Sequence, residues 1–246
     1  MKKKMFIGLL VVATIASAYY LKTHDNTASP SNVVEQHDTT DPEVITDQKP
    51  TEINKKLYSS DAADSIWVVA NKKRPLNPLN YAPPDLIAVG GGQQLRKEPG
   101  EALQKLIATA KTEGLTISPL SGYRSYNTQV SVYGNEVKSY GQAVADTQSA
   151  RPGHSEHQTG LAIDVGGGGC GIEDCFGQTA EGNWVASNAY KYGFIIRYVQ
   201  GKESITGYRA EPWHLRYVGT ELASEMQKQG AQTLEEFFGL PAAPGY

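Results

Sequence analysis

Two short fragments, far apart along the 246-residue chain, restrict its fold more than any other feature. The first is Arg151-Pro-Gly-His-Ser-Glu-His-Gln-Thr-Gly-Leu-Ala-Ile-Asp-Val165, which sets His157 and Asp164 seven residues apart around a small-residue turn. The second, Glu211-Pro-Trp-His214, adds another histidine and another carboxylate. A fold that uses both must carry them to one place. Two imidazoles and one carboxylate are enough protein ligands for a hydrolytic zinc ion, and a further carboxylate is then free to act as a base.

The pattern around these fragments predicts helices and short strands. Leu161, Ile163 and Val165 alternate with Ala162 and Asp164, so a strand here turns Asp164 away from the apolar face. Ser65 to Asn71 reads as a strand from its β-branched and aromatic run, and Pro75, Pro78, Pro83 and Pro84 follow in an extended stretch. Leu103, Leu106, Ile107 and Ala110 predict an amphipathic helix between Pro99-Gly100 and Gly114. Leu115 to Leu120 reads as a short strand leading into Ser121-Gly-Tyr-Arg-Ser125. Tyr126, Val130, Tyr133, Val137 and Tyr140 predict a helix over 126–143, its stripe read as core packing rather than as an aromatic substrate wall.

Residues 179–192 read as a helix ended by Gly193 and Phe194 to Val199 as a strand, with a polar loop following through Gly207. Tyr208 to Val218 is the last strand, interrupted by Pro212, and two short helices close the chain, the second opened by a Thr233–Glu236 capping box. Gly166 to Gly169 lack the lysine of a phosphate loop and read as a mobile loop beside the site. With no repeat and no βαβ rhythm, the expected class is α+β, a small antiparallel sheet flanked by helices with the site in a cleft on the sheet.

The beginning of the chain has a different character. Lys2, Lys3 and Lys4 precede an apolar run from Met5 that ends in Ala16-Ser17-Ala18, so residues 1–21 are expected to be a signal peptide or an N-terminal membrane anchor. Residues 22–64 hold nine Asp or Glu against four Lys and read as a disordered linker, leaving 65–246 as the folded domain. The expected location is therefore extracytoplasmic. Cleavage after Ala18 would remove three lysines and no acid, taking the formal charge from −3 to −6. An acidic chain with no basic stripe argues against nucleic-acid binding, and no feature marks a protein partner. In an exported protein Cys170 and Cys175 are read as a disulfide, since two thiolate zinc ligands would need a second pair.

Taken together, Ser155-x-His157-x-x-Gly160-x-Ala162-x-Asp164 and Glu211-Pro-Trp-His214 resemble the VanY-type D-alanyl-D-alanine carboxypeptidases, in the wider group that includes lysostaphin-like enzymes and the hedgehog signalling domain. Ser121-Gly-Tyr-Arg124-Ser-Tyr-x-x-Gln129 and Val68-Val-x-Asn71-x-x-x-Pro75 also match, so the resemblance spans roughly 65–220. It implies one zinc ion on His157, Asp164 and His214, Glu211 as general base, and Arg124, Gln129 and Ser155 on the substrate, a peptidoglycan stem peptide. The donor fork of Arg124 suits either a terminal carboxylate or the oxyanion at the scissile carbonyl. Arg151, Tyr198 and Trp213 are read as shaping the pocket, and His154 as either an outer hydrogen-bonding partner of the metal loop or a packing residue.

Three other readings share these residues. An L,D-carboxypeptidase acting on the tetrapeptide stem would use the same metal set. An Fe(II) oxygenase also takes two histidines and a carboxylate, but its first pair is spaced by one residue rather than six. A non-catalytic wall-binding module could keep zinc for structure, although such a site has no use for Glu211.

Overall fold

The computed structural model describes residues 53–246. The leader or anchor expected over 1–21, and most of the expected linker, lie outside the described residues. Among the described residues no helix is long and apolar enough to cross a membrane.

The first strands among the described residues form a hairpin, β1 (Leu86–Gly90) and β2 (Gln93–Arg96), followed by α1 (Lys97–Thr112) and β3 (Ser118–Ser121). Next come α2 (Tyr126–Tyr140), α3 (Gln142–Gln148), a 3-10 turn at Glu156–Thr159, and β4 (Ala162–Gly166). After α4 (Ala180–Asn188) the chain continues through β5 (Phe194–Tyr198), α5 (Glu203–Thr206), β6 (Glu211–Tyr217), α6 (Thr220–Gln229) and α7 (Leu234–Phe238). β3, β4, β6 and β5 lie in that order in one antiparallel sheet, the α+β architecture expected.

The alternation read in the sequence decides which face of the sheet is which. Ile163 and Val165 of β4 and Leu215 of β6 join Leu103, Leu106 and Ala110 of α1 and Val185 of α4 in one buried cluster. A second cluster gathers Trp67 and Val69 with Val218, Leu222, Met226, Leu234 and Phe237. Helix α7 is opened by the expected capping box, with the Thr233 hydroxyl accepting from the Glu236 N–H at 3.0 Å. Cys170 and Cys175 are bonded, their Cα atoms 5.9 Å apart.

Several local expectations are corrected. Trp67 to Ala70 are buried but form no strand. Arginine side chains take the place of a neighbouring strand: Arg216 donates to the carbonyls of Ile66 and Val68, and Arg74 to that of Val69. The β1–β2 hairpin was not expected, although Leu86 to Val89 is a short apolar run; its turn is made by Gly90, Gly91 and Gly92, all at positive φ. Helix α1 begins at Lys97, ahead of the Pro99-Gly100 expected to precede it. Proline is tolerated there because the first-turn N–H groups have no intrahelical partner.

The helix expected over 126–143 breaks at Gly141, at φ 80°. Its stripe is not core, with Val130 47% and Tyr140 60% exposed, and the buried residue of α2 is Gln129. Polar contacts hold this helix, among them the Tyr133 hydroxyl on Asp146 at 2.7 Å. The helix expected over 179–192 ends at Asn188 and continues as a 3-10 turn to Tyr192, while the polar loop before Gly207 contains α5. The loop expected at Gly166–Gly169 is a tight turn closed by Gly167 and Cys170. A Cβ on Gly167 would lie 2.5 Å from the Thr116 carbonyl oxygen. At the end of the stretch expected to be linker, Ala63 is buried and the Tyr58 ring stands edge-on to Trp67.

At Gly122, just after β3, the hairpin approaches the sheet closely. A Cβ there would stand 2.5 Å from the Gln94 carbonyl oxygen, which also accepts from the Tyr123 N–H. Gly122→Ala should therefore lower the unfolding free energy by about 1–3 kcal/mol, the usual cost of overpacking, as measured by denaturant titration. A change below about 0.5 kcal/mol would mean that β2 and β3 separate freely.

Candidate active site

Asp164 and His214 are directly opposite each other across β4 and β6, and cross-strand partners share a sheet face. Their side chains meet, with His214 Nδ1 3.2 Å from Asp164 Oδ1. Strict alternation would send Glu211, three residues before His214, to the other face. The strand is irregular at that point. Tyr198 pairs with Glu211 but Ile196 with Leu215, so β6 spends two more residues than β5 over this interval. The extra residues, which include Pro212, re-aim the strand and bring Glu211 Oε2 to 3.5 Å from His214 Nδ1.

His157 arrives from the 3-10 turn, which ends at Gly160 in the left-handed conformation. A side chain at Gly160 would press on Arg96 and Pro83, so glycine serves both the turn and the close approach. His157 Nδ1 donates to the Gly122 carbonyl at 2.9 Å, since a carbonyl can only accept. Its Nε2 is thereby left facing Asp164 Oδ2 at 3.4 Å. The two imidazoles lie edge to face, centroids 4.9 Å apart, and the Tyr198 ring lies tilted against His214 at the same distance.

The site opens into a cleft of about 420 Å³ lined by Arg124, Ser155, Trp213 and the groups above. Arg124 Nε has no hydrogen-bond partner in the protein. Burial works against the charge of its guanidinium, while Asp164 and Glu211 across the cleft favour it. Trp213 is both lining and core. Gln129 lies behind the wall: it is fully buried, and its amide donates to the carbonyl of Ala150, which does line the cleft. His154 turns away, donating from Nδ1 to the Asn71 carbonyl at 2.8 Å and meeting the Tyr246 ring, which is a packing role. Arg151 pairs with Asp146 at 2.8 Å and also stands over Tyr246.

Burial and neighbouring charges shift the four groups at the centre of the site. Burial, reinforced by Asp164, pushes Glu211 up to about 7, although His214 and the nearby arginines oppose it. Burial, then the Arg124 charge, pull His157 down to about 3. Burial alone would lower His214 and raise Asp164. The carboxylates Asp164 and Glu156 instead lift His214 to about 9, and the two histidines with Arg124 hold Asp164 at about 2.

One atom from each of His157, Asp164 and His214 lies within 4.8 Å of the other two, all three residues buried. Asp164 Oδ1 makes no hydrogen bond although His214 Nδ1 is 3.2 Å away, so these groups converge without bonding to one another. Two nitrogens and a carboxylate oxygen disposed in this way fit zinc. Because His214 holds a proton to about pH 9 without the ion, metal uptake must displace it. Calorimetry of zinc binding near pH 7.5 in buffers of different protonation enthalpy should show about one proton released per ion, and affinity should rise with pH up to the His214 pKa. No proton release would mean that His214 is not displaced.

Two residues that complete this arrangement were not singled out in the sequence. The Gly122 carbonyl holds His157, and the Glu156 carboxylate faces His214 Nε2 at 3.5 Å. A glutamate next to a candidate ligand looks like a solvated charge, and its burial depends on arginines from distant strands.

The chain is 45% identical over 186 residues to the "Putative carboxypeptidase YodJ" of Bacillus subtilis, covering 71% of this chain and 67% of that protein. The structure of the LdcB LD-carboxypeptidase superposes with a TM-score of 0.67 at 44% identity, over 72% of this chain and 87% of the other. A vancomycin-resistance D,D-pentapeptidase, VanY, solved with Zn(II), superposes with a TM-score of 0.61 at 32% identity, over 69% and 97%. The model of the D-alanyl-D-alanine carboxypeptidase family VanY matches residues 92–220, and the chain belongs to that family.

Proposed function

We propose that the chain is a zinc-dependent D,D-carboxypeptidase that removes the terminal D-alanine from peptidoglycan stem peptides. What carries this reading is the convergence of His157, Asp164 and His214 within 4.8 Å beside Glu211, inside an open cleft. His157 through Nε2, Asp164, and His214 through Nδ1 would hold the ion. When bound, zinc supplies Lewis acidity toward water and toward the scissile carbonyl.

The side chains of the protein do the rest. Glu211 takes a proton from the attacking water as its oxygen bonds to the carbonyl carbon. As the C–N bond breaks, Glu211 passes that proton to the departing amine of D-alanine. Arg124 offers its donors to the terminal carboxylate or to the developing oxyanion. Ser155 and Trp213 shape the cleft around the peptide, and Gln129 acts through the Ala150 wall it braces. The three-part organisation, with a leader or anchor over 1–21 and a linker before the peptidase domain, suits an enzyme working on the cell wall from the extracytoplasmic face, tethered or released.

A second reading has a specific observation in its favour: LdcB, at 44% identity, is an LD-carboxypeptidase, whereas the D,D-enzyme VanY is 32% identical. Defined muropeptides separate the two. D-alanine should be released from the pentapeptide, and release from the tetrapeptide alone would establish the L,D reading instead.

Glu211→Ala should keep its zinc and lose 10²-fold or more in turnover, on the order expected for a missing general base. Undiminished turnover would remove Glu211 from the role of base. The pH profile follows from the same group, which must be unprotonated to act. Its pKa of about 7 without the ion can only fall beside a dication. The rate should therefore drop about tenfold per pH unit along an acid limb that begins below pH 7, seen in kcat/KM, and a rate that instead rises as the pH falls below 7 would remove Glu211 as the base.

A further inference from the structure

Beneath the histidine pair lie four charges that neither converge on the metal position nor reach solvent. Glu156, Arg197, Arg216 and Glu235 are all 0% exposed at the side chain. Arg197 Nε and Arg216 Nη1 both donate to one oxygen of Glu156, Oε1, at 2.9 and 2.6 Å. Arg197 spends its other two nitrogens on Glu235, at 2.7 and 2.9 Å, and Arg216 gives the rest of its donors to the carbonyls of Tyr217, Ile66 and Val68. The second oxygen of Glu156 has no such partner. Oε2 is buried, makes no formed hydrogen bond, and faces His214 Nε2, itself unpartnered, at 3.5 Å.

We propose that Glu156 is a positioning residue for the metal centre, accepting from His214 Nε2–H and so keeping the Nδ1 lone pair turned toward Asp164. The inference rests on the zinc reading above. A carboxylate can only accept, so the nitrogen it faces carries the proton of the neutral ring. His157 is set the opposite way, its Nδ1–H fixed by the Gly122 carbonyl and its Nε2 left free. The site thus takes one histidine through each kind of nitrogen, and each choice is made by the partner on the far side of the ring. The two arginines make this selective. By occupying Oε1 they fix the carboxylate and leave only Oε2 for the imidazole.

Glu156→Gln tests this with nearly unchanged volume. Arginine donors keep the amide oxygen at the Oε1 position, so the amide NH₂ must point a donor at His214 Nε2 and disfavour the required tautomer. Glu235→Gln is the control, since it disturbs the same buried cluster without touching His214. In a competitive chelator titration Glu156→Gln should weaken zinc binding roughly 10- to 100-fold while Glu235→Gln stays within about threefold, although both lower the unfolding midpoint. Equal losses in the two variants, or unchanged affinity in Glu156→Gln, would overturn the proposal. Should Glu156→Gln fail to fold, ¹⁵N-histidine NMR of the zinc-loaded wild-type protein decides: one ring bound through Nε2 and one through Nδ1 supports the proposal, and both through Nε2 overturns it. A wild-type protein that takes up no zinc would remove the proposed function itself, and this inference with it.

Discussion

Asp164 and His214 are opposed across two antiparallel strands with no freedom of register between them. That pairing is the constraint on which the rest of the site depends. A slip of one residue on either strand would drive Asp164 into the apolar layer of Ile163, Val165 and Leu215, where an unpaired carboxylate is untenable. The hydrophobic face therefore locks the polar one. α1 and α4 contribute by holding that face shut.

β6 departs from regular pairing only where chemistry needs it. The doubled-up residues around Pro212 bring Glu211 to the face it would otherwise miss, while His214 and Arg216 keep the normal alternation behind it. One strand thus presents a candidate base, a candidate ligand and a buried cation within seven residues. Proline suits this point, where regular pairing lapses.

Crowding Asp164, Glu211, Glu156 and two histidines into a buried space is electrostatically costly, and the arginines are the compensation. Arg197 and Arg216 neutralise the carboxylates beneath the site, and Arg124 faces those in the cleft. Removing one member of a buried ion set costs about 3–5 kcal/mol, so the cluster has to assemble as a whole. Arg216 also satisfies the carbonyls of Ile66 and Val68, which ties the stretch before the hairpin to the floor of the site. The C-terminal part joins in through Glu235 of α7, which takes Arg197 on one side and Asn71 on the other.

His157, Asp164, Glu211 and His214 were legible in the chain because their chemistry is local: residue type, spacing, and an alternation that settles which way Asp164 points. The capping box of α7 and the Cys170–Cys175 pair were legible for the same reason, each being decided within a few residues. The hairpin of β1 and β2 was not, because its stability comes from packing against α1 and β3 rather than from its own composition. The tyrosines of α2 misled because helical periodicity reports that a stripe exists and not what covers it. Tertiary structure alone decided the register irregularity of β6, the burial of Glu156, and which nitrogen of each histidine faces Asp164. Those depend on partners up to 60 residues away, such as Arg216 on Glu156, and no local pattern encodes a contact that exists only after the strands have paired.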